Sequence, residues 1–199
     1  MKIAKIIVAI YFGIAIQGCQ ENLSALADIE FEKGNFEKAI ELYDEELSSR
    51  PRHIKSLYNR GRCYQELEKY DLAEADFNKV LKLDPKNTNA LLSMGQAYHE
   101  RKDFEQAVYY FDKSIVIDTK DYYAFFLRGC SQHLLGNSSD ALSDYNKCIN
   151  LNADFGEVYK FRGALKLSAG RKTQACNDFK LAKNLNVPGI DEIIKKNCR

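Results

Sequence analysis

The chain has 199 residues, which is enough for one domain with a sizeable hydrophobic core. Its 29% charged and 45% hydrophobic residues are ordinary for a globular protein. The formal net charge is +1, so the sequence lacks the excess of basic residues that nucleic-acid binding requires, and we expect no nucleic-acid partner.

The first 18 residues have the features of an export signal. Lys2 and Lys5 form a short positively charged region, and residues 6–16 are apolar. This apolar stretch is too short to cross a bilayer as a helix, which needs about 20 residues, but it suits a secretory signal. We therefore predict a signal peptide over residues 1–18.

The signal ends in Ile16-Gln17-Gly18-Cys19, which resembles the bacterial lipobox. The resemblance implies that Cys19 carries a diacylglycerol and fatty acyl chains such as palmitate, which would anchor the protein stably to a membrane of the bacterial cell envelope. Gln20 stands where an aspartate would indicate retention in the inner membrane, so the periplasmic face of the outer membrane is the expected location. The alternatives are an uncleaved signal anchor, or an ordinary signal in which Cys19 is incidental.

From residue 20 onward, three residue classes recur every 34 positions. They are a glycine (Gly61, Gly95, Gly129, Gly163), an alanine (Ala39, Ala73, Ala107, Ala141, Ala175) and an aromatic residue (Tyr43, Phe77, Phe111, Tyr145, Phe179). Period and residue types resemble the tetratricopeptide repeat, a helix-turn-helix unit. The resemblance implies an all-α fold, a right-handed α-solenoid, over residues 19–189. Its five repeats would span residues 20–53, 54–87, 88–121, 122–155 and 156–189.

Each repeat is expected to pack a helix A against an antiparallel helix B. The glycine on helix A and the alanine on helix B would let the backbones approach closely, and the aromatic residue one turn after the alanine would fill the space beside them. Gly34, Gly136 and Gly170 suit a left-handed turn between the helices. Pro51 and Pro85 are expected to end helix B.

Two features mark the ends of the array. Repeat 1 has Ala27 and Glu30 where the pattern has glycine and tyrosine, as expected for a terminal repeat with a single neighbour. After repeat 5, three isoleucines occur at helical spacing within residues 190–199. This spacing predicts a short capping helix over the last repeat.

The resemblance also implies that the A helices line a concave groove that binds a protein or peptide. The expected groove residues are Tyr58, Arg62, Leu92, Gln96, His99, Tyr123, Phe126 and His133. Aromatic side chains offer large contact area at a low entropy cost, which suits such a partner. The alternative is that some of these aromatic residues pack between repeats.

One known mode of peptide binding is not expected. Lys55 and Asn59 resemble part of the carboxylate grip of co-chaperone members of the family. The remaining positions, Ser24, Asp28, Asn89 and Ser93, do not complete it.

Catalysis and metal binding find little support in the sequence. Cys130, His133 and His99 would share one face of adjacent A helices, so a zinc site is conceivable there. The alternative, which we prefer, is that the histidines are polar groove residues and Cys130 packs. No nucleophile elbow, phosphate-binding loop or zincin motif occurs. We expect no enzyme activity, no cofactor, no bound metal and no small-molecule substrate.

The other cysteines differ in their expected roles. Cys63 and Cys148 occupy positions that suit small packing residues. Cys176 begins the last helix B and Cys198 ends the capping helix, so the two would meet if the cap folds back. An exported chain experiences an oxidising compartment, which permits a Cys176–Cys198 disulfide.

The sequence thus predicts a membrane-anchored scaffold or adaptor. Its partners would be a protein or peptide in the groove and the membrane at the N-terminal lipid. The alternative is a lipoprotein that assists assembly of an envelope complex, such as a pilus or an outer-membrane protein.

Overall fold

A computed structural model describes residues 23–198 of the chain. The predicted signal peptide and the predicted lipidation site Cys19 lie outside the described residues. Within residues 23–198 all regular structure is helical, and no helix is both long and apolar enough to cross a membrane. The chain divides after Leu83 into two compact units, which we describe separately.

Unit 1 has two helical hairpins in its described part. Its helices are α1 (Leu23–Glu32), α2 (Phe36–Ser49), α3 (Ile54–Glu66) and α4 (Tyr70–Leu83). Helix α1 packs on α2, and α3 packs on both α2 and α4.

Unit 2 has three helical hairpins followed by a shorter helix. Its helices are α5 (Thr88–Glu100), α6 (Phe104–Ile117), α7 (Tyr122–Leu134), α8 (Ser138–Leu151), α9 (Gly156–Ser168), α10 (Lys172–Asn184) and α11 (Ile190–Asn197). The helices α3, α5, α7 and α9 begin at the first residues of the predicted repeats 2 to 5.

The close approach of the two helices in each hairpin has the predicted cause. A Cβ built on Gly61 would lie 2.6 Å from Cε1 of Phe77, and one on Gly163 would lie 2.5 Å from Cε1 of Phe179. Gly95 and Gly129 face Phe111 and Tyr145 in the same way. All four rings are buried, as are the five recurring alanines. The predicted pairing of small and aromatic residues is confirmed.

The turn between helices A and B is left-handed, as predicted at Gly34, Gly136 and Gly170. In each turn the next backbone N–H bonds a carbonyl five residues earlier, as from Asn35 to Glu30. This is the Schellman motif. Repeats 2 and 3 make the same turn with Glu68 and Lys102, whose φ angles are 57° and 64°. Because these positions carry no glycine, the sequence did not indicate that these two turns are left-handed.

The B helices end where proline predicts an end, and also where proline is missing. Helix α2 ends before Arg50-Pro51, and α4 ends before Asp84-Pro85. Helices α6 and α8 end at the equivalent positions, although Thr119 and Ala153 replace the proline. Proline is therefore compatible with this turn but is not required for it.

In three of the hairpins, an arginine on helix A pairs with an aspartate on helix B. Arg128 donates to both carboxylate oxygens of the buried Asp144, at 2.9 and 2.6 Å. Arg60 and Arg162 bind Asp76 and Asp178 in the same bidentate way. The bidentate geometry makes these strong, oriented pairs.

The capping helix α11 packs on the apolar edge of repeat 5. Ile190 is buried, and Ile193 and Ile194 are partly buried against the core of unit 2. A disulfide joins Cys176 of α10 to Cys198, which directly follows α11.

Candidate partner-binding site

In unit 1, the residues that resemble a carboxylate grip hold an internal carboxylate. Lys55 Nζ, Asn59 Nδ2 and Tyr43 Oη donate to the Asp28 carboxylate at 2.6, 2.8 and 2.5 Å. Burial raises the pKa of Asp28, but these three hydrogen bonds outweigh it and leave the pKa below its ordinary value. Lys55 and Asn59 are thus occupied by a group of the chain itself.

The two other expected groove residues of unit 1 also have partners within it. The Arg62 guanidinium lies over the Phe31 ring, 4.6 Å from its centre. Tyr58 is half-buried, and its ring centre is 5.8 Å from that of Phe77. Both side chains contribute to packing as well as to the surface.

In unit 2, four of the expected groove residues of repeats 3 and 4 share a partly exposed surface: Leu92, Gln96, His99 and Tyr123. Gln96 of α5 and Tyr123 of α7 are neighbours. His99 Nδ1 lies 2.8 Å from the Ser131 hydroxyl of α7. Tyr123 stays 38% exposed, and Leu92, Gln96 and His99 are partly exposed. The structure therefore brings these side chains together on the faces of α5 and α7.

Phe126 does not belong to this surface. It is only 8% exposed, and its ring makes edge-to-face contacts with Phe155 and Phe161 at 4.9 and 5.3 Å. The prediction that Phe126 contacts a partner is corrected: it packs between repeats 4 and 5. The sequence did not predict the contact with Phe155, because Phe155 lies in the turn between α8 and α9 and outside the recurring pattern.

Cys130, His133 and His99 bind other groups of the protein. The Tyr145 hydroxyl lies 3.8 Å from Cys130 Sγ and 3.4 Å from His133 Nδ1, while His99 faces Ser131. Over residues 23–198, no three His, Cys, Asp or Glu side chains converge as a metal-ligand set. The zinc arrangement considered from the sequence is not assembled there.

Burial favours the neutral form of the groove histidines and of the core thiols. Desolvation lowers the pKa of both His99 and His133. Desolvation likewise raises the pKa of each of Cys63, Cys130 and Cys148 to about 12. Thiols with such pKa values are poor nucleophiles at neutral pH.

Repeat 5 adds a cavity that the sequence did not reveal. The cavity measures about 420 Å³ and lies between α9 and α11. Its lining residues are Lys160, Phe161, Ala164, Leu167, Ser168, Phe179, Ile193 and Asn197. Lys160, Ala164 and Leu167 follow Phe126, Cys130 and His133 by one repeat length, so they occupy the groove register of repeat 5. Because α11 supplies one wall, the repeat pattern alone could not show the cavity.

Comparison with known proteins identifies the repeats. Three tetratricopeptide-repeat models match the chain, at residues 54–87, 77–109 and 122–155. The first and third coincide with the predicted repeats 2 and 4. Over 56 residues the chain is 50% identical to protein PHOX3 of Arabidopsis thaliana. That match covers 28% of the chain and only 7% of the length of PHOX3.

Solved structures confirm the fold over most of the chain. MamA from Desulfovibrio magneticus has a TM-score of 0.78 at 18% identity, over 84% of this chain and 94% of MamA. YrrB, described as a tetratricopeptide-repeat protein with an unusual peptide-binding site, has a TM-score of 0.70 at 18% identity, over 87% and 90% of the two chains. The predicted tetratricopeptide-repeat fold class is confirmed.

Proposed function

We propose that this tetratricopeptide-repeat chain is a lipid-anchored scaffold of the bacterial cell envelope that binds a protein or peptide partner. The binding surface would run along α5, α7 and α9 of unit 2, and Cys19 would carry the anchor. The outer membrane, at its periplasmic face, is the proposed location. The protein would act by holding its partner and not by catalysis.

The observation that carries the binding role is the surface of unit 2. Exposed Tyr123 presents an amphipathic ring typical of protein interfaces. The cavity beside α9 adds a concave apolar site in the same register of the next repeat. Polar and apolar contacts are thus offered together, as peptide recognition requires.

The disulfide supports the envelope location. A Cys176–Cys198 bond persists in oxidising compartments and is rare in the reducing cytosol. An exported chain with a lipobox-like motif before Cys19 fits this chemistry.

Site-specific photocrosslinking in cells tests the binding role. A photoreactive phenylalanine analogue replaces Tyr123, or as a matched control Tyr109, which is 48% exposed on the B helix α6. We expect an ultraviolet-dependent adduct of defined mass from position 123 and none from position 109. Equal adducts at both positions, or none at 123, would contradict a partner on this surface.

A further inference from the structure

We infer that the cavity between α9 and α11 is an anchor pocket for a bulky apolar side chain within an acidic peptide segment. The inference rests on the proposed partner binding and specifies its ligand chemistry. Three observations carry it: the lining of the cavity, the charge of the surrounding segment, and the way the capping helix is held.

The lining selects an apolar group. Phe161, Phe179, Leu167 and Ile193 form its walls, and the exposed Ala164 leaves room on the α9 side. A volume of about 420 Å³ lies within the range of small-ligand sites and exceeds what one aromatic side chain fills. An aromatic side chain with part of its backbone fits this space.

The surroundings select negative charge on the ligand. Residues 156–199 contain ten basic and four acidic side chains, in a chain whose 29 basic and 28 acidic residues nearly balance. Lys160 lines the cavity from α9. Lys196 is exposed on α11, one helical turn after the lining residue Ile193.

Two of the four acidic side chains in this segment pair with basic side chains of the protein. Asp178 accepts hydrogen bonds from Arg162 and Lys166, and Asp191 pairs with Lys183 at 2.6 Å. Glu157 and Glu192 lie on the helices of the cavity, but neither lines it. Lys160 is the charged residue in the lining, and it lies in a segment with net positive charge, so the site complements an acidic peptide.

The cap holds the pocket in shape before the ligand binds. Ile193 and Asn197 come from α11, and the Cys176–Cys198 disulfide ties the end of that helix to α10. A preformed wall reduces the entropy lost on binding.

Methyl NMR on the full chain in lipid nanodiscs tests the pocket. The probe is a five-residue peptide with a central phenylalanine flanked on each side by two aspartates. We expect it to shift the Ile193 methyl resonance in a saturable way. Peptides with a central serine, or with lysines in place of the aspartates, should bind roughly tenfold more weakly.

Two variants probe the lining and the rim. Ala164→Phe fills the cavity and should abolish the Ile193 shift, while Ala75→Phe, at an exposed position of α4, should leave it intact. Lys160→Glu should weaken the aspartate peptide and strengthen the lysine peptide. An unchanged shift in Ala164→Phe, with the fold verified by circular dichroism, would overturn the pocket.

The remaining outcomes separate this inference from the proposed function. A Tyr123 adduct in cells without any Ile193 shift would leave the binding role standing and overturn the anchor pocket. An Ile193 shift without a Tyr123 adduct would support the pocket and count against the proposed partner surface. Self-association that Ala164→Phe abolishes would show a second copy as occupant and overturn the acidic-peptide proposal.

Discussion

At the residue scale, Gly61 shows why helix A of repeat 2 carries a glycine. A methyl group there would lie 2.6 and 2.9 Å from two ring carbons of Phe77, which is fully buried. Gly61→Ala gains about 1 kcal/mol of helix propensity but overpacks the hairpin by more. We expect a net loss of about 1–2 kcal/mol in the free energy of unfolding, measured by urea denaturation. Ser48→Ala, on the exposed face of α2, should change it little.

Glu30 makes the stability of repeat 1 depend on pH. Asn35 Nδ2 and Lys33 Nζ donate to its carboxylate at 2.7 and 3.0 Å, and these hydrogen bonds lower its pKa from 4.5 to about 2. A lowered carboxyl pKa stabilises the fold above the unfolded value, and this contribution disappears as the pH falls from about 4.5 toward 2.

Thermal melts of the native chain and Glu30→Gln check this sign. At pH 6 we expect the native chain to have a higher melting temperature than Glu30→Gln. The difference between the two melting temperatures should shrink steadily between pH 5 and pH 2.5. A difference that stays constant across this range would mean that the Glu30 charge does not contribute.

At the element scale, repeat 3 provides a natural test of the arginine pairs. Met94 and Tyr110 stand where repeats 2, 4 and 5 have the paired arginine and aspartate, so the hairpin also folds without the ion pair. Arg128→Ala would leave the buried Asp144 unpaired, and we expect a loss of about 3 kcal/mol. Arg128→Met combined with Asp144→Tyr, which copies repeat 3, should recover much of it.

Urea denaturation of Arg128→Met, of Asp144→Tyr and of the double variant completes the cycle. Additive losses in the double variant would contradict this explanation, since they would show that the unpaired charge is not the source of the destabilisation.

The Cys176–Cys198 disulfide should decide how firmly α11 is attached. Alkylation in denaturant without reductant is expected to modify Cys63, Cys130 and Cys148, with Cys176 and Cys198 protected until reduction, as peptide mapping would show. Cys198→Ser should cost about 3 kcal/mol of stability by the loop-entropy relation. Its α11 amides should exchange faster, and reduction of the native chain should reproduce both effects.

At the scale of the whole molecule, the N-terminal cysteine is proposed to set where the chain works. The chain should incorporate radiolabelled palmitate and sediment with membranes, and Cys19→Ser should do neither, because only the thiol can accept the diacylglycerol. Gln20→Asp should keep the label but move the protein to the inner-membrane fraction. Equal labelling of the chain and Cys19→Ser would contradict the lipid anchor.

An anchor at Cys19 would give the chain a short reach. Helix α1 begins at Leu23, only four positions after Cys19. Even fully extended, these residues span about 13 Å. A chain anchored at Cys19 would hold α1 close to the bilayer surface, so its partner would be expected there too.

The sequence by itself determined the repeats, because the 34-residue spacing of glycine, alanine and aromatic residues reflects contacts within one hairpin. Such contacts recur from repeat to repeat, so the residues that make them recur every 34 positions in the sequence. The starts of the later A helices, at Ile54, Thr88, Tyr122 and Gly156, follow from that period together with the resemblance to the tetratricopeptide repeat. The period did not reveal the left-handed turns at Glu68 and Lys102. Hydrogen bonds hold the backbone in this conformation there, and no glycine marks the position in the sequence.

Only the tertiary structure decided which groove positions are available to a partner. Phe126 and Tyr123 share one helix, yet Phe155 from a turn buries the first while the second stays exposed. Asp28 occupies Lys55 and Asn59 from a neighbouring repeat. The cavity at Ala164 exists because α11, which is not a repeat, packs on α10 and supplies one wall opposite α9. These contacts join residues from different repeats or from outside the pattern, so no periodicity in the chain encodes them.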